Sequence, residues 1–179
     1  PEEVYANTVT ISEKDISILE KAVKEHNPAA LIFHFTYGSG GGGMAMGDEN
    51  PREYMKAMRE ITSKHNVVLI ADEVVTGFRL APGGGQQYFG LDVDMTTLGK
   101  MVCGAIGGSG AITGKEEVMR IADPKVHPPA ETPLTGGTFS GNPMHSAAGY
   151  AALDVIDKAG GRLNEQANKL GDRLKDGLN

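Results

Sequence analysis

The chain has 179 residues, 40% of them hydrophobic and 22% charged, a composition that predicts one globular domain with an ordinary core. Its 17 basic and 23 acidic side chains give a formal net charge of −6, which leaves no basic field for a phosphate backbone and excludes nucleic acid as an expected partner. No apolar stretch approaches the roughly 20 residues that span a bilayer, so no membrane partner is expected, and the single cysteine, Cys103, predicts a reducing, cytoplasmic compartment.

The first two predicted elements are a helix and a buried strand. Ser12 and Asp15 form an S-x-x-D capping pattern before apolar residues at helical spacing, so we expect a helix over residues 13–26. The apolar run at residues 30–35 is too short for a helix and is bounded by proline and glycine, which favours a buried strand. A glycine-rich loop, residues 38–50, follows this strand.

A helix and a second strand are predicted next. Asn50 and Pro51 are typical of a helix start, and apolar residues then share one face, which predicts a helix over residues 51–65. The segment VVLIADE, residues 67–73, has the apolar run of another buried strand. Short connections between two strands and a helix indicate a right-handed βαβ unit with parallel strands. We therefore predict an α/β fold with a mainly parallel sheet flanked by helices.

The second half of the chain continues the same alternation of strands and helices. Weaker strand patterns occur at residues 94–99 and 108–114, and helical patterns occur at residues 115–123, at residues 143–160 and from residue 162 onward. A proline-rich loop is expected at residues 124–133.

One glycine cluster matches a nucleotide-binding motif in its residue types but not in the elements around it. Gly38, Gly40 and Gly43 fit G-x-G-x-x-G after a strand. However, these glycines do not open the next helix, and the acid expected about 20 residues later would fall inside that helix, near Glu60. No G-K-[ST] triplet supports a P-loop. A nucleotide-binding α/β domain is therefore only a third alternative, which requires the loop at residues 38–43 to hold phosphate.

A second glycine loop, GGTFSGNP at residues 136–143, combines hydroxyl groups with a helix start. Thr138 and Ser140 lie just before the predicted helix, among backbone amides freed by neighbouring glycines. Such an arrangement suits a phosphate dianion. A plain capped turn uses the same residue types, so the residues alone leave both interpretations open.

Lys100 closes the strand pattern MTTLG and precedes three apolar residues. A lysine that attacks a carbonyl carbon must spend part of its time uncharged, which a buried, apolar setting favours. The alternative is a surface lysine at the end of an edge strand, which is the ordinary place for a lysine.

Asp72 follows the apolar run of the second predicted strand and is adjacent to Glu73. A carboxylate in this position needs a partner, which could be a helix end, Arg79 or a cationic ligand atom. A pyridinium nitrogen is one such atom, because a nearby carboxylate keeps the ring protonated and electron-withdrawing. Together with Lys100 and Thr138, Asp72 meets the three needs of pyridoxal 5'-phosphate: a Schiff-base lysine, a pyridinium partner and a phosphate-binding hydroxyl.

Three segments carry a resemblance to a known family. LIADEVVTGFR, GGGQQYFGLDVDMTTLGK and GGTFSGNP resemble the class III, fold type I, pyridoxal-phosphate-dependent aminotransferases. Within that family the pattern is most similar to the glutamate-1-semialdehyde 2,1-aminomutases. The resemblance implies transfer of an amino group on a small amino acid or amino-aldehyde substrate, and it implies no metal.

The resemblance also implies a role for each candidate residue. Asp72 would pair with the pyridine nitrogen, and Val74 would pack on one face of the ring. Lys100 would form the Schiff base with the cofactor and, once released as an amine, shuttle a proton. Thr138 would bind the cofactor phosphate of the partner subunit, which implies a homodimer with shared active sites.

The resemblance further implies that residues 1–179 form only part of the large domain. We expect an N-terminal region and a small C-terminal domain to be missing or truncated. Two alternatives stay open: the chain is a piece of a longer enzyme, or it is a partial large domain that binds the cofactor weakly or not at all. Two segments depart from the family: His34-Phe35 replaces the usual Glu-Pro, and CGAIGGSGA, residues 103–111, lacks the usual proline. The alternative function is therefore a catalytically incompetent domain that serves as a binding or interaction module.

Overall fold

A four-stranded sheet organises the molecule. The computed structural model describes residues 6–11, 15–36, 50–104, 106–128, 130–133 and 136–178. The sheet has the order β1-β2-β3-β4, with β1 at Ala30–His34, β2 at Val68–Glu73, β3 at Met95–Leu98 and β4 at Ala111–Gly114. β1, β2 and β3 are parallel, and β4 runs antiparallel to β3. The predicted α/β fold with a mainly parallel sheet is therefore confirmed.

Helices connect and follow the strands. Within the described residues they are α1 at Ile16–His26, α2 at Pro51–Lys64, α3 at Gly84–Phe89, α4 at Glu116–Met119, α5 at Pro143–Ala159 and α6 at Arg162–Leu178. Two 3₁₀ turns are present, at Lys100–Cys103 and Arg120–Ala122. None of these helices combines the length and the apolar character needed to cross a membrane.

The start of α1 differs in detail from the prediction. The expected Ser12 cap lies outside the described residues, and the described helix begins at Ile16. Asp15 is the N-cap, because its carboxylate accepts a hydrogen bond of 2.8 Å from the amide of Ser17. This backbone hydrogen bond lowers the pKa of Asp15 below its usual value.

One face of the sheet is covered by α1 and α2 and forms the core. The strand residues that point to this face, such as Leu69 and Ala71, are fully buried. They pack with buried residues from α1, α2, α3 and the connecting loops: Leu19, Val23, Phe35, Met55, Met58, Val67, Phe89, Leu91 and Val93. Each large apolar side chain in this cluster contributes about 1.5–3 kcal/mol through burial, which is the main source of the fold's stability.

The opposite face of the sheet is more open. Ile32 is 59% exposed and Ile112 is 57% exposed. Neighbouring residues in register point to the same side of a sheet, so this open face also carries His34, Asp72 and Thr97. The candidate site therefore lies on the face that the core helices do not cover.

Helix α3 was missed by the sequence analysis, and Glu73 explains its position. Glu73 is buried, and its carboxylate accepts hydrogen bonds from the amides of Gly85 (2.6 Å) and Gln86 (3.2 Å) at the start of α3. It also accepts from the hydroxyl of Thr76 (2.9 Å) and the side-chain amide of Gln86 (3.1 Å). Four hydrogen bonds satisfy the buried charge, so Glu73 is a structural residue that joins β2 to α3.

Asp94 ties β3 to β2 and α2 in a similar way. One carboxylate oxygen accepts hydrogen bonds from the Leu69 amide (2.8 Å) and the Arg59 guanidinium (2.9 Å), and the other accepts from Lys115 Nζ (3.0 Å). Partial burial would raise the pKa of Asp94, but these hydrogen bonds outweigh it and hold the pKa below its usual value of 3.8. Asp94 thus stabilises the fold as a carboxylate.

We expect Asp94→Asn to lower the free energy of unfolding by about 2 kcal/mol near neutral pH, because hydrogen bonds to a charged group are lost. A lowered pKa in the folded state means that the carboxylate stabilises fully above about pH 5 and less as the pH falls through that pKa. Urea denaturation of both proteins across this range should therefore show a smaller acid-induced loss in the variant. Asp172 is exposed, so Asp172→Asn serves as the control. Equal acid sensitivity of wild type and Asp94→Asn would contradict the stabilising role of the Asp94 carboxylate.

Candidate active site

Asp72 and Lys100 lie at the same edge of the sheet, as the sequence predicts. Asp72 is the penultimate residue of β2 and is in register with Thr97 of the adjacent parallel strand β3. Lys100 comes three residues after Thr97 and opens the 3₁₀ turn that follows β3. Ligands in open α/β sheets bind outside the carboxyl ends of the strands, so this edge is the candidate active site.

The Asp72 carboxylate has one fixed oxygen and one open oxygen. Its Oδ1 accepts a hydrogen bond of 3.0 Å from the backbone amide of Val74. Its Oδ2 lies 3.6 Å from Nε2 of His34, and the side chain is 23% exposed. Among the described contacts, none joins Asp72 to Arg79, which was one alternative partner. The open oxygen can therefore accept a hydrogen bond from a ligand.

Lys100 is exposed, so the expectation of a buried lysine is wrong. Its backbone has φ of 49°, in the left-handed region that residues with a side chain rarely adopt. Gly99 precedes it, and a Cβ placed on Gly99 would lie only 3.1 Å from Cγ1 of Val74. Val74 thus packs against the backbone just before Lys100, which brings the predicted ring-contacting residue beside the predicted Schiff-base residue.

Helix α5 supports the turn that carries Lys100. A Cβ on Gly149 of α5 would overlap the carbonyl oxygen of Val102, and a Cβ on Gly104 would overlap the backbone of Ala148. The two backbones approach this closely only because both positions are glycine. The direction of Lys100 therefore depends on α5 as well as on the sheet.

Two further side chains lie beside Asp72, and only His34 was singled out from the sequence, as a departure from the family pattern. His34 of β1 is in register with Asp72 on one side, and Thr97 of β3 is in register with it on the other. The hydroxyl of Thr97 is buried and has no hydrogen-bond partner among the described residues. An unpaired buried hydroxyl and an open carboxylate oxygen on one face are complementary to a polar ligand ring. The register of the sheet, which the sequence does not reveal, brings them together.

Thr138 lines a cleft that the 3₁₀ turn opened by Lys100 also borders. It is exposed in the loop before α5, where Asn142 Oδ1 caps the helix and Ser140 Oγ accepts a hydrogen bond of 2.8 Å from the amide of Gly137. This loop lines an open cleft of about 640 Å³ together with Val102 and His145. In the described part of the chain, neither Asp72 nor Lys100 lines this cleft, but Ala111 does, and it is in register with Leu98 at the end of β3. The cleft with Thr138 therefore adjoins the sheet edge that carries Asp72 and Lys100.

Comparison with known proteins identifies the family. The model of the class-III aminotransferases matches residues 3–179. The chain belongs to the class-III aminotransferase family. This result confirms the resemblance predicted from the three sequence segments.

Several named aminomutases are similar to this chain over nearly its whole length. The glutamate-1-semialdehyde 2,1-aminomutase of Methanococcoides burtonii is 39% identical over 181 aligned positions, which cover 100% of this chain and 40% of that protein. The corresponding protein of Rhodopirellula baltica is 41% identical over 175 positions, covering 96% of this chain and 37% of the relative. The chain thus spans about two fifths of the length of these curated relatives.

Solved structures of two aminotransferases have the same fold. A β-phenylalanine aminotransferase from Variovorax paradoxus superposes with a TM-score of 0.74 and 31% identity, covering 93% of this chain and 37% of the other. The acetylornithine aminotransferase of Elizabethkingia anophelis gives a TM-score of 0.74 and 30% identity, with 95% and 39% covered. These neighbours confirm the α/β architecture predicted from the sequence.

Within the described residues, no group of three or more histidine, cysteine or acidic side chains is placed to hold a metal ion. The nucleotide-binding alternative rests on residues 38–43, which lie outside the described residues.

Proposed function

We propose that this chain is part of a pyridoxal-phosphate-dependent enzyme that transfers amino groups. Glutamate-1-semialdehyde 2,1-aminomutase or a related class-III aminotransferase is the proposed activity. The observation that carries the proposal is the placement of Asp72 and Lys100 at the carboxyl ends of adjacent parallel strands. Identities of 34–41% to named aminomutases over nearly the whole chain support it.

The residues at the sheet edge fit this cofactor. Asp72 would hold the pyridine nitrogen through its open oxygen, and Val74 would pack against the ring. The unpaired hydroxyl of Thr97 is an additional polar group on the same face. Pyridoxal phosphate, when bound, supplies an electron-withdrawing ring that stabilises negative charge on the carbon next to the transferred amino group.

The protein's own residues would position that ring and move a proton. The negative charge of Asp72 would keep the ring nitrogen protonated, since an opposite charge nearby favours the protonated form. Lys100 would bond the cofactor through Nζ and, when released, take the proton from the substrate carbon that carries the amino group. Its exposed position on a turn supported by α5 leaves Nζ accessible to substrate.

Thr138 is proposed to act across a subunit interface. It is exposed on the cleft before α5, and neither Asp72 nor Lys100 is among the described residues that line this cleft. We therefore propose a homodimer in which Thr138 of one protomer binds the cofactor phosphate held by its partner. We also propose that residues 1–179 form part of a large domain, that the substrate is a small amino acid or amino-aldehyde, and that the enzyme is cytoplasmic.

Cofactor binding tests the proposal. Titration of the 179-residue chain with pyridoxal phosphate, followed by absorption spectroscopy, should yield a new band near the visible edge. We expect Asp72→Asn to weaken the apparent affinity about ten- to hundred-fold, because a hydrogen bond to a charged acceptor is lost. The exposed Asp172→Asn should bind like wild type.

The competing possibility is a domain that has kept the fold and lost the chemistry. It predicts a protein that is folded by circular dichroism and develops no new absorption band with pyridoxal phosphate. That result, or a band unaffected by Asp72→Asn, would count against the proposed cofactor site.

A further inference from the structure

His34 is the side chain that faces the open oxygen of Asp72. The two residues are paired in register across β1 and β2, and Nε2 of His34 lies 3.6 Å from Oδ2 of Asp72. No other side-chain hydrogen bond or ion pair of His34 is found among the described residues. Among the described residues, Asp72 is therefore the one charged neighbour of the His34 imidazole. Asp72 is also the proposed partner of the cofactor's pyridine nitrogen.

Each carboxylate oxygen of Asp72 has a different polar neighbour. The Val74 amide fixes Oδ1, and His34 approaches Oδ2 from the neighbouring strand. A histidine ring can donate a hydrogen bond to a carboxylate in its neutral form and attracts it more strongly when protonated.

His34 is not needed for the core. Along β1, Leu31 and Phe33 pack against the core cluster, whereas Ile32 and His34 lie on the open face. The His34 side chain is 41% exposed. Loss of its imidazole should consequently leave the folded state nearly as stable as before, which separates a role at the site from a role in folding.

We propose that His34 is a positioning residue that orients the Asp72 carboxylate toward the cofactor's ring nitrogen. This inference rests on the proposed function, since it requires Asp72 to meet that nitrogen. His34 acts through Asp72 and does not itself bond the reacting atoms.

The contact between His34 and Asp72 can be tested without any cofactor. In the wild-type chain and in Asp72→Asn, the imidazole nitrogens of His34 are followed by long-range ¹H–¹⁵N NMR. We expect the Nε2 resonance to shift when the carboxylate becomes an amide, while the resonances of the distant His26 stay in place. An unchanged Nε2 resonance of His34 would overturn the proposal.

Cofactor affinity then tests the positioning role. Titration with pyridoxal phosphate should give about three- to tenfold weaker binding and a displaced absorption maximum in His34→Ala, because the polar neighbour that orients the Asp72 carboxylate is lost. His34→Gln should restore most of the affinity, because its side-chain amide nitrogen can occupy the place of Nε2. His26→Ala, on α1, is the matched control and should bind like wild type.

The outcomes separate the two proposals. If wild type binds pyridoxal phosphate and His34→Ala binds equally well with the same spectrum, the role of His34 is wrong and the proposed function stands. If wild type and all variants fail to bind, the proposed function fails, and the role of His34 fails with it. Equal loss in His34→Ala and His34→Gln, accompanied by reduced thermal stability, would mean that His34 serves the fold instead.

Discussion

A Lys100→Ala variant should form no covalent adduct with pyridoxal phosphate. Lys100 is the lysine at the sheet edge beside Asp72, and its amine is the proposed attachment point. Reduction with borohydride converts a Schiff base into a stable amine, so the attached lysine can be located by peptide mass spectrometry. In wild type we expect the label on Lys100, and in the variant we expect it to be lost completely.

The control is Lys175→Ala, which removes an exposed lysine of α6 and should leave labelling of Lys100 unchanged. Two results would contradict this prediction: label spread evenly over the surface lysines of wild type, or label that persists in Lys100→Ala. Either would show that pyridoxal phosphate reacts non-specifically with exposed lysines. Circular dichroism of each variant confirms that the fold is intact before labelling.

The backbone of Lys100 offers an independent measurement. Because its φ of 49° suits glycine better than any residue with a side chain, Lys100→Gly should raise the free energy of unfolding by about 1 kcal/mol. It should abolish labelling as fully as alanine does. A gain in stability with loss of labelling would show that the lysine is kept at a strained position for its chemistry.

The second large effect is structural, at the start of α3. Gly84 has φ of 70°, and a Cβ added there would overlap the buried Glu73 carboxylate. Gly84→Ala should therefore lower the free energy of unfolding by about 3 kcal/mol or more, because it combines backbone strain with displacement of a hydrogen-bonded charge. Urea denaturation measures the change.

Gly90→Ala is the matched control for Gly84→Ala. Gly90, at the other end of α3, has nearly the same φ of 72°, but a Cβ there would meet nothing within 4 Å. Gly90→Ala should lower the free energy of unfolding by only about 1 kcal/mol, which is the cost of the left-handed backbone alone. Equal losses in the two variants would mean that the Glu73 carboxylate does not occupy the position described.

The main architecture was predictable because it depends on local patterns. The apolar runs of β1 and β2, separated by an amphipathic α2, are sufficient to predict a parallel βαβ unit. Helix α3 was not predictable, because six residues that begin with two glycines show no period. What fixes α3 is the carboxylate of Glu73, which lies eleven residues before Gly84 in the chain and meets it only in the folded state.

The candidate site was partly predictable for a related reason. Asp72 and Lys100 stand out because each ends an apolar run, and strands of a parallel sheet end at one edge. His34 and Thr97 could not be placed beside Asp72, because the register between strands is set by packing across the whole sheet. For Lys100 the residues left a buried and a surface position open, and the surface position is correct because apolar neighbours in sequence do not bury a residue that opens a turn.

The alternation of side chains along β2 makes this strand sensitive to insertions and deletions. Asp72 and Glu73 are adjacent but serve opposite faces, one toward the open site and one toward α3. Deleting or inserting a single residue within β2 would exchange the two acids, sending a glutamate to the site and an aspartate into the interior. We therefore expect β2 to tolerate some substitutions but no insertion or deletion of an odd number of residues.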